Sequence, residues 1–387
     1  MPASVLAQTS PAGSRNIPLV KDAAKALAAG NLQLADTDLQ LILTVNPRDV
    51  HALNLLGILR VQQQREAEAE RLFKQAIEIK PDFAGAHASL GRLYIETGRP
   101  EVAIPQLQEA LRLDALRTDI RDSLLSLLRT EAREALRARN PEKALAALLQ
   151  ARQVSANDPD VEYELGMVAL QMSLFPDAID ALQNVLALRS QDLLALYGLG
   201  RANIGFAKFP EAKECFTRYI QERPDDASGH YALGLALESL QENEQARRQF
   251  EQSISLRPVQ TEAYFQLGRM DLEENKLESA AGHFQTVLQR DPKHAGGLIG
   301  MGRVAFQRKN YEEAADFLRR AIAGDAPLRE AHYYLGLTYA RLGRKEESEQ
   351  EMQIASRLEH EEVEQHQQEV RILGLEEAPV PASEQSK

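Results

Sequence analysis

Residues 231–258 read YALGLALESLQENEQARRQFEQSISLRP. Leu233, Leu237 and Leu240 recur at helical spacing, and so do Ala246, Phe250 and Ile254. The stretch therefore reads as two amphipathic helices joined by a short polar turn. Each helix carries one small residue, Gly234 in the first and Ala246 in the second, and Pro258 closes the segment. A mid-helix glycine costs about 1 kcal/mol relative to alanine, so close packing must offset it.

Moving outward from this stretch in steps of 34 residues, Gly166, Gly200, Gly234, Gly268, Gly302 and Gly336 fall in register, and Gly57 and Gly91 join them across one interruption of 75 residues, twice 34 plus 7. Twelve residues after each comes Ala69, Ala103, Ala178, Ala212, Ala246, Ala280, Ala314 or Ser348. Two further segments keep the alanines without the glycine, Ala23 with Ala35 and Ala132 with Ala144. Four residues beyond the second small residue stands a large apolar one: Leu39, Phe73, Leu107, Leu148, Leu182, Phe216, Phe250, Phe284, Leu318 or Met352. Pro47, Pro81, Pro224, Pro258 and Pro292 close five segments, because proline lacks an N–H and disfavours helix in the residue before it. The result is ten repeats, 16–49, 50–83, 84–117, 125–158, 159–192, 193–226, 227–260, 261–294, 295–328 and 329–362.

The pattern resembles the tetratricopeptide repeat family, whose 34-residue unit carries Leu-Gly, then Ala-x-x-x-Phe, then Pro. The resemblance covers residues 16–362 and departs from the pattern in repeat 1, with Asp22-Ala23, and repeat 4, with Glu131-Ala132. It implies an all-α, right-handed α–α superhelix in which stacked helix pairs bury a continuous core that no single pair could bury alone. Length alone would suggest two or three ordinary domains; the repeats imply one elongated array instead. Small-angle scattering is therefore expected to give a radius of gyration well above about 21 Å, the value for a compact chain with N near 387. A value near that figure would remove the solenoid reading.

Around this frame, residues 1–15 read as disordered and 16–117 as repeats 1–3. Thr118–Leu124 form a seven-residue insert, two helical turns long, that lengthens the first helix of the next repeat. Residues 125–362 hold repeats 4–10, 363–374 a polar capping helix, and 375–387 a disordered acidic tail. Val5-Leu6-Ala7-Gln8 resembles the end of a secretory signal. A cytoplasmic location is the default expectation, with an exported or periplasmic one if residues 1–7 are the remnant of such a signal.

Composition narrows the chemistry. The single cysteine, Cys215, excludes a disulfide framework, a cysteine-built zinc site and an iron–sulfur cluster. No run of 18 apolar residues offers a membrane span. The net charge of −12 argues against nucleic acid. Residues 351–387 carry 3 basic and 9 acidic side chains, half of that net charge, as a solvated end would. There is no phosphate-binding loop, no His-Glu-x-x-His and no Gly-x-Ser-x-Gly. Gly300-Met-Gly302-Arg-Val-Ala305 mimics a dinucleotide fingerprint, but its glycines sit in the helical register with no strand before them. His87, His230 and His332 share one register position and read as packing residues. No cofactor and no metal are expected, and about 40 residues outside the array are too few for a catalytic domain.

With the register glycine numbered 8, positions 2, 5, 9, 12 and 13 share one side of the first helix. The resemblance makes that side the concave groove, where extended protein segments bind. Position 5 carries Tyr163, Tyr197, Tyr231, Phe265 and Tyr333, and position 9 carries Arg201, Arg269 and Arg303 in the same stretch. Tyr and Arg are enriched at binding hot spots, and Arg holds carboxylates through two parallel hydrogen bonds. These eight residues are the candidate site, expected to select segments with a carboxylate and an apolar anchor. The Lys and Asn set of chaperone-tail-binding relatives is absent. The functional expectation is a non-catalytic scaffold or adaptor for protein partners. The alternative is a regulatory or substrate-presenting subunit of a multi-protein enzyme or envelope-assembly complex.

Overall fold

The computed structural model describes residues 13–324 and 328–372. Among them are twenty α-helices and no strand. The helices come in hairpins: α1 (Gly13–Ala28) with α2 (Leu32–Val45), α3 (Val50–Gln62) with α4 (Glu66–Ile79), α5 (Ala84–Glu96) with α6 (Pro100–Leu113), and α7 (Thr118–Arg137) with α8 (Pro141–Val154). Then follow α9 (Pro159–Gln171) with α10 (Phe175–Leu188), α11 (Leu193–Gly205) with α12 (Phe209–Glu222), and α13 (Ala227–Ser239) with α14 (Asn243–Leu256). The last three hairpins are α15 (Thr261–Glu273) with α16 (Leu277–Arg290), α17 (Ala295–Gln307) with α18 (Tyr311–Ile322), and α19 (Arg329–Arg341) with α20 (Lys345–Ile372). The chain divides into two compact units between Gly198 and Leu199. Within each, the second helix of a hairpin packs on the first helix of the next, and first helices adjoin one another, as α1, α3 and α5 do, and α15, α17 and α19.

The small residues act where the periodicity put them. A methyl group on Gly234 would lie 2.5 Å from Phe250, one on Gly268 2.7 Å from Phe284, and one on Gly302 2.7 Å from Leu318. The glycine is thus the seat for the large residue on the partner helix. Ala35, Ala69, Ala103, Ala144, Ala178, Ala212, Ala246, Ala280 and Ala314 are all fully buried. In repeat 10, Ser348 takes that place and donates its hydroxyl to the Gly336 carbonyl at 2.8 Å. Phe73, Phe216, Phe250 and Phe284 are among the largest fully buried side chains, each contributing about 1.5–3 kcal/mol by burial.

The turn inside each hairpin has a feature the sequence does not announce. Register position 15 is left-handed in all ten repeats: Gly30, Gly98 and Gly343, but also Gln64, Arg139, Ser173, Ala207, Gln241, Asn275 and Lys309, with φ from 57° to 76°. Each turn is closed by the same pair of backbone bonds. At Ala207, its N–H donates to the Ile204 carbonyl at 3.0 Å and the Lys208 N–H to the Asn203 carbonyl at 2.8 Å. This is the Schellman arrangement, which satisfies the last carbonyls of the first helix. A left-handed alanine costs about 1–2 kcal/mol that glycine does not, against about 0.4–1 kcal/mol for the added freedom of an unfolded glycine. Ala207→Gly is therefore expected to raise stability by about 0.5–1 kcal/mol in denaturant unfolding; a loss would mean the strain is relieved elsewhere.

Three junctions between successive repeats carry a polar contact between position 21 of one and position 11 of the next. The Arg60 guanidinium donates to both oxygens of Asp36 at 3.0 and 3.1 Å. The Tyr94 hydroxyl donates to Glu70 at 3.0 Å. Between repeats 7 and 8 the charges are exchanged: Arg247 donates to Asp271 at 2.7 Å. Asp271 is only 1% exposed. It also accepts from the Ser279 hydroxyl at 2.5 Å and faces His283 Nδ1 at 2.9 Å. Burial pushes the Asp271 carboxyl up, but the Ser279 and Arg247 hydrogen bonds outweigh it and hold the group below its ordinary value.

Two boundaries differ in detail from the sequence expectation. Helix α1 already begins at Gly13, inside the segment read as disordered to residue 15. The capping helix is not a separate element: α20 runs unbroken from Lys345 to Ile372 because no proline or glycine interrupts it. Helix α7 has 20 residues against 13 in the neighbouring first helices α5 and α9, and takes in the insert. Its residues Ile120, Leu124 and Leu128 are fully buried in the same stripe as Ala132 and Ala135. Residues 5–8 and the tail 375–387 lie outside the described residues.

Candidate functional site

Position 5 lies on the first helix, where the ring leans over its own hairpin. Tyr231 is half-buried against Phe250, with ring centres 5.8 Å apart. Phe265 sits between Phe284 at 6.2 Å and His294 at 5.3 Å. A methyl on Gly296 would meet Phe265 at 2.6 Å, so that glycine makes room for the ring. Tyr333 is the most open, 42% exposed, and contacts Tyr334 edge-on at 5.4 Å. The rings thus divide between core and surface. Burial pushes the Tyr231 hydroxyl above its ordinary pKa.

In the N-terminal unit, Tyr163 and Tyr197 are half-buried. Tyr163 lines a cavity of about 260 Å³ with Arg129, Asp160, Glu164, Arg189, Asp192 and Leu194. Arg129 grips Glu164 with two bonds of 2.9 and 3.1 Å, and Arg189 donates to Asp160 at 2.7 Å. Burial and the Asp192 charge both push the Tyr163 hydroxyl up.

The arginines occupy the expected positions but are largely engaged. Arg303 donates to Glu330 at 2.8 Å and its guanidinium lies 5.0 Å from the centre of the Tyr334 ring. Arg269 donates to Gln266 at 2.8 Å and stands 3.7 Å from Glu238. Arg92 pairs with Asp119, and Arg133 lies 3.7 Å from Glu164. The carboxylate partners come from neighbouring repeats, so inspection of one helix could not find them. Arg201 is exposed and has no carboxylate partner among the described residues.

Beside Arg269 lies an open recess of about 580 Å³, lined by Glu238, Ser239, Gln241, Asn243, Arg269, Met270, Glu273 and Glu274. Glu238 and Glu273 stand at positions 12 and 13 of the same side of the first helices but were not singled out from sequence. Glu238, Glu262 and Arg269 all act on the Tyr231 hydroxyl, so ring and recess share one neighbourhood.

The register histidines are structural. His87 Nε2 and His230 Nε2 each lie 2.9 Å from the carbonyl of the preceding closing proline, Pro81 or Pro224. A carbonyl only accepts, so Nε2 carries the proton, and Nδ1 faces Gln106 or Gln249 on the paired helix. Cys215 is buried, and burial raises its thiol to about 11, far from a reactive thiolate. Among the described residues no cluster of three His, Cys, Asp or Glu could hold a metal, and no helix is long and apolar enough to cross a membrane.

Among the described residues, ten helical hairpins in one register, eight of them seating a glycine against a large apolar residue and all closed by one turn geometry, define a helical-repeat protein. The chain matches the tetratricopeptide repeat profile over residues 23–84, 129–192, 163–206, 197–260, 236–295, 265–328 and 302–357, and a second profile of the same description over 60–127. It belongs to the tetratricopeptide repeat family. Among curated proteins, Protein O-mannosyl-transferase TMTC3 of Homo sapiens is 35% identical over 68 residues, 18% of this chain. The Mus musculus protein of that name matches equally, and the chain spans 7% of the length of either. Similar solved structures include MamA 41-end from Desulfovibrio magneticus RS-1, at TM-score 0.42 and 25% identity over 44% of this chain and 96% of that one. Yeast Tom70 matches at TM-score 0.39 and 13% identity, over 92% of this chain and 97% of its own. The P58(IPK) TPR domain matches at 0.33 and 16%, over 85% and 99%.

Proposed function

We propose that the chain is a non-catalytic scaffold or adaptor that binds protein segments on its first-helix rows, with Tyr231, Phe265 and Tyr333 as anchors in the C-terminal unit. Tyr163 and Tyr197 offer a smaller counterpart in the N-terminal unit. The observation that carries the reading is the repeated half-buried ring. Each is held firmly enough on one edge to lose little freedom on binding, and each keeps another edge in water. Such pre-organised aromatic surface is what interface anchors use. Beside it, the open recess at Arg269 gives a polar lining where a segment's own polar groups can be received.

An affinity capture with the whole chain, read by mass spectrometry, tests this. Diverse client proteins are the expected result; a capture confined to the subunits of one enzyme would favour the second reading, a substrate-presenting or regulatory subunit. For the captured proteins, Tyr231→Ala combined with Tyr333→Ala is expected to weaken binding at least about tenfold, or about 1.4 kcal/mol. Unchanged binding by a variant with intact circular dichroism would place the partner on another face.

A further inference from the structure

We infer that the recess beside Tyr231 receives a lysine or arginine side chain of the bound segment, so that the preferred partner motif is basic; this rests on the groove reading proposed above. From sequence, the arginine row was expected to attract a carboxylate. The recess is built the other way. Two glutamates, Glu238 and Glu273, face one arginine there, Arg269. Its Nη1 is spent on Gln266, and its Nη2 stands 3.7 Å from Glu238, beyond hydrogen-bond distance. Glu274, on the rim, is already held by Arg247 at 3.0 Å and Lys276 at 2.5 Å. The Glu238 side chain is 21% exposed, yet its carboxylate accepts no hydrogen bond among the described residues.

The electrostatics agree with the geometry. Burial pushes the Glu238 carboxyl up, Arg269 pulls it back, and the Glu273 charge pushes it up again, with the net result above the ordinary value. A carboxylate arriving from a partner would meet two negative charges and an arginine already shared. An ammonium or guanidinium would supply the hydrogen bonds Glu238 lacks and separate it from Glu273. Charge-assisted bonds of this kind are the stronger class. The same helix sets a spacing. Tyr231 and Glu238 are seven residues apart on α13, about 10 Å at 1.5 Å per residue. An extended segment lying along the helix covers that distance in about three residues. The motif is therefore an apolar residue against Tyr231 and a basic residue about three positions away.

Selection from a phage-displayed library of random dodecapeptides on the full chain tests the inference, with fluorescence anisotropy on the synthesised winners. The expected winners carry Lys or Arg about three positions from an apolar residue. Glu238→Gln with Glu273→Gln is expected to weaken them at least about tenfold, and Glu238→Lys with Glu273→Lys to turn the selection toward Asp and Glu. Circular dichroism confirms that each variant is folded. Acidic winners on the unaltered chain, or basic winners indifferent to the glutamine variant, overturn the inference. If those winners still respond to Tyr231→Ala, only the charge inference falls. If they ignore Tyr231→Ala too, or if nothing is enriched, the groove reading falls with it.

Discussion

Asp271→Ala is expected to cost about 3–5 kcal/mol, the range for leaving one partner of a buried ion pair behind. Asp271 is 1% exposed and receives Arg247, Ser279 and His283 together. Truncation strands three polar groups, of which only Arg247 keeps another carboxylate, Glu274 at 3.0 Å. Arg247→Met with Asp271→Leu removes both charges and is expected to recover most of the loss, because apolar replacement of a whole buried pair is often near neutral. Denaturant unfolding measures the totals. Hydrogen exchange places the loss at the boundary between repeats 7 and 8, since repeat arrays unfold by local units. The pH dependence has a definite sign. The folded-state pKa of Asp271 is lowered, so its contribution is complete above the unfolded value of about 3.9 and is lost as pH falls through the lower folded value. Asp271→Asn should flatten that acid limb. Equal stability of the single and double variants, or an unchanged acid limb, would show that the contact carries no net energy.

Gly234→Ala is expected to destabilise by about 2 kcal/mol although alanine is the better helix former by about 1 kcal/mol. The added methyl would stand 2.5 Å from Phe250, a ring with no solvent-exposed surface to retreat into. The array contains its own rescue. Repeats 1 and 4 carry alanine at this position and leucine on the partner helix, Ala23 with Leu39 and Ala132 with Leu148, all at most 1% exposed. Gly234→Ala with Phe250→Leu rebuilds that natural combination and is expected to regain a large part of the loss in urea melts. A double variant no better than the single one would mean the glycine serves backbone geometry rather than the seat of the ring.

Those paired positions were legible in the sequence because the same residue types return every 34 residues. The left-handed turn was not, because seven of its ten occupants are ordinary side chains such as Gln64 and Lys309, and backbone hydrogen bonds hold the conformation without glycine. The ties between repeats were hidden because they occur at three junctions only, with apolar pairs such as Leu145 and Ala169 at others, and because they exchange sign: Asp36 with Arg60 in one place, Arg247 with Asp271 in another. A search by residue type averages such a position to nothing. The helix positions of the candidate residues were legible, but their charge partners were not. Arg269 and Arg303 stand where the register put them, yet their carboxylates, Glu238 and Glu330, belong to adjoining repeats.

Helix α7 carries a rule about how this chain can change in evolution. Its seven additional residues turn the helix by about 700°, within about 20° of two whole turns. Ile120 and Leu124 therefore continue the stripe that Leu128 and Ala132 began, and every residue downstream keeps its neighbour. An insertion of five residues at the same point would rotate the stripe by about 140° and expose it to water. Growth inside a first helix is thus quantised. Insertions and deletions there should survive in heptads, while lengths between them are confined to the junctions between hairpins, where no stripe has to stay in phase.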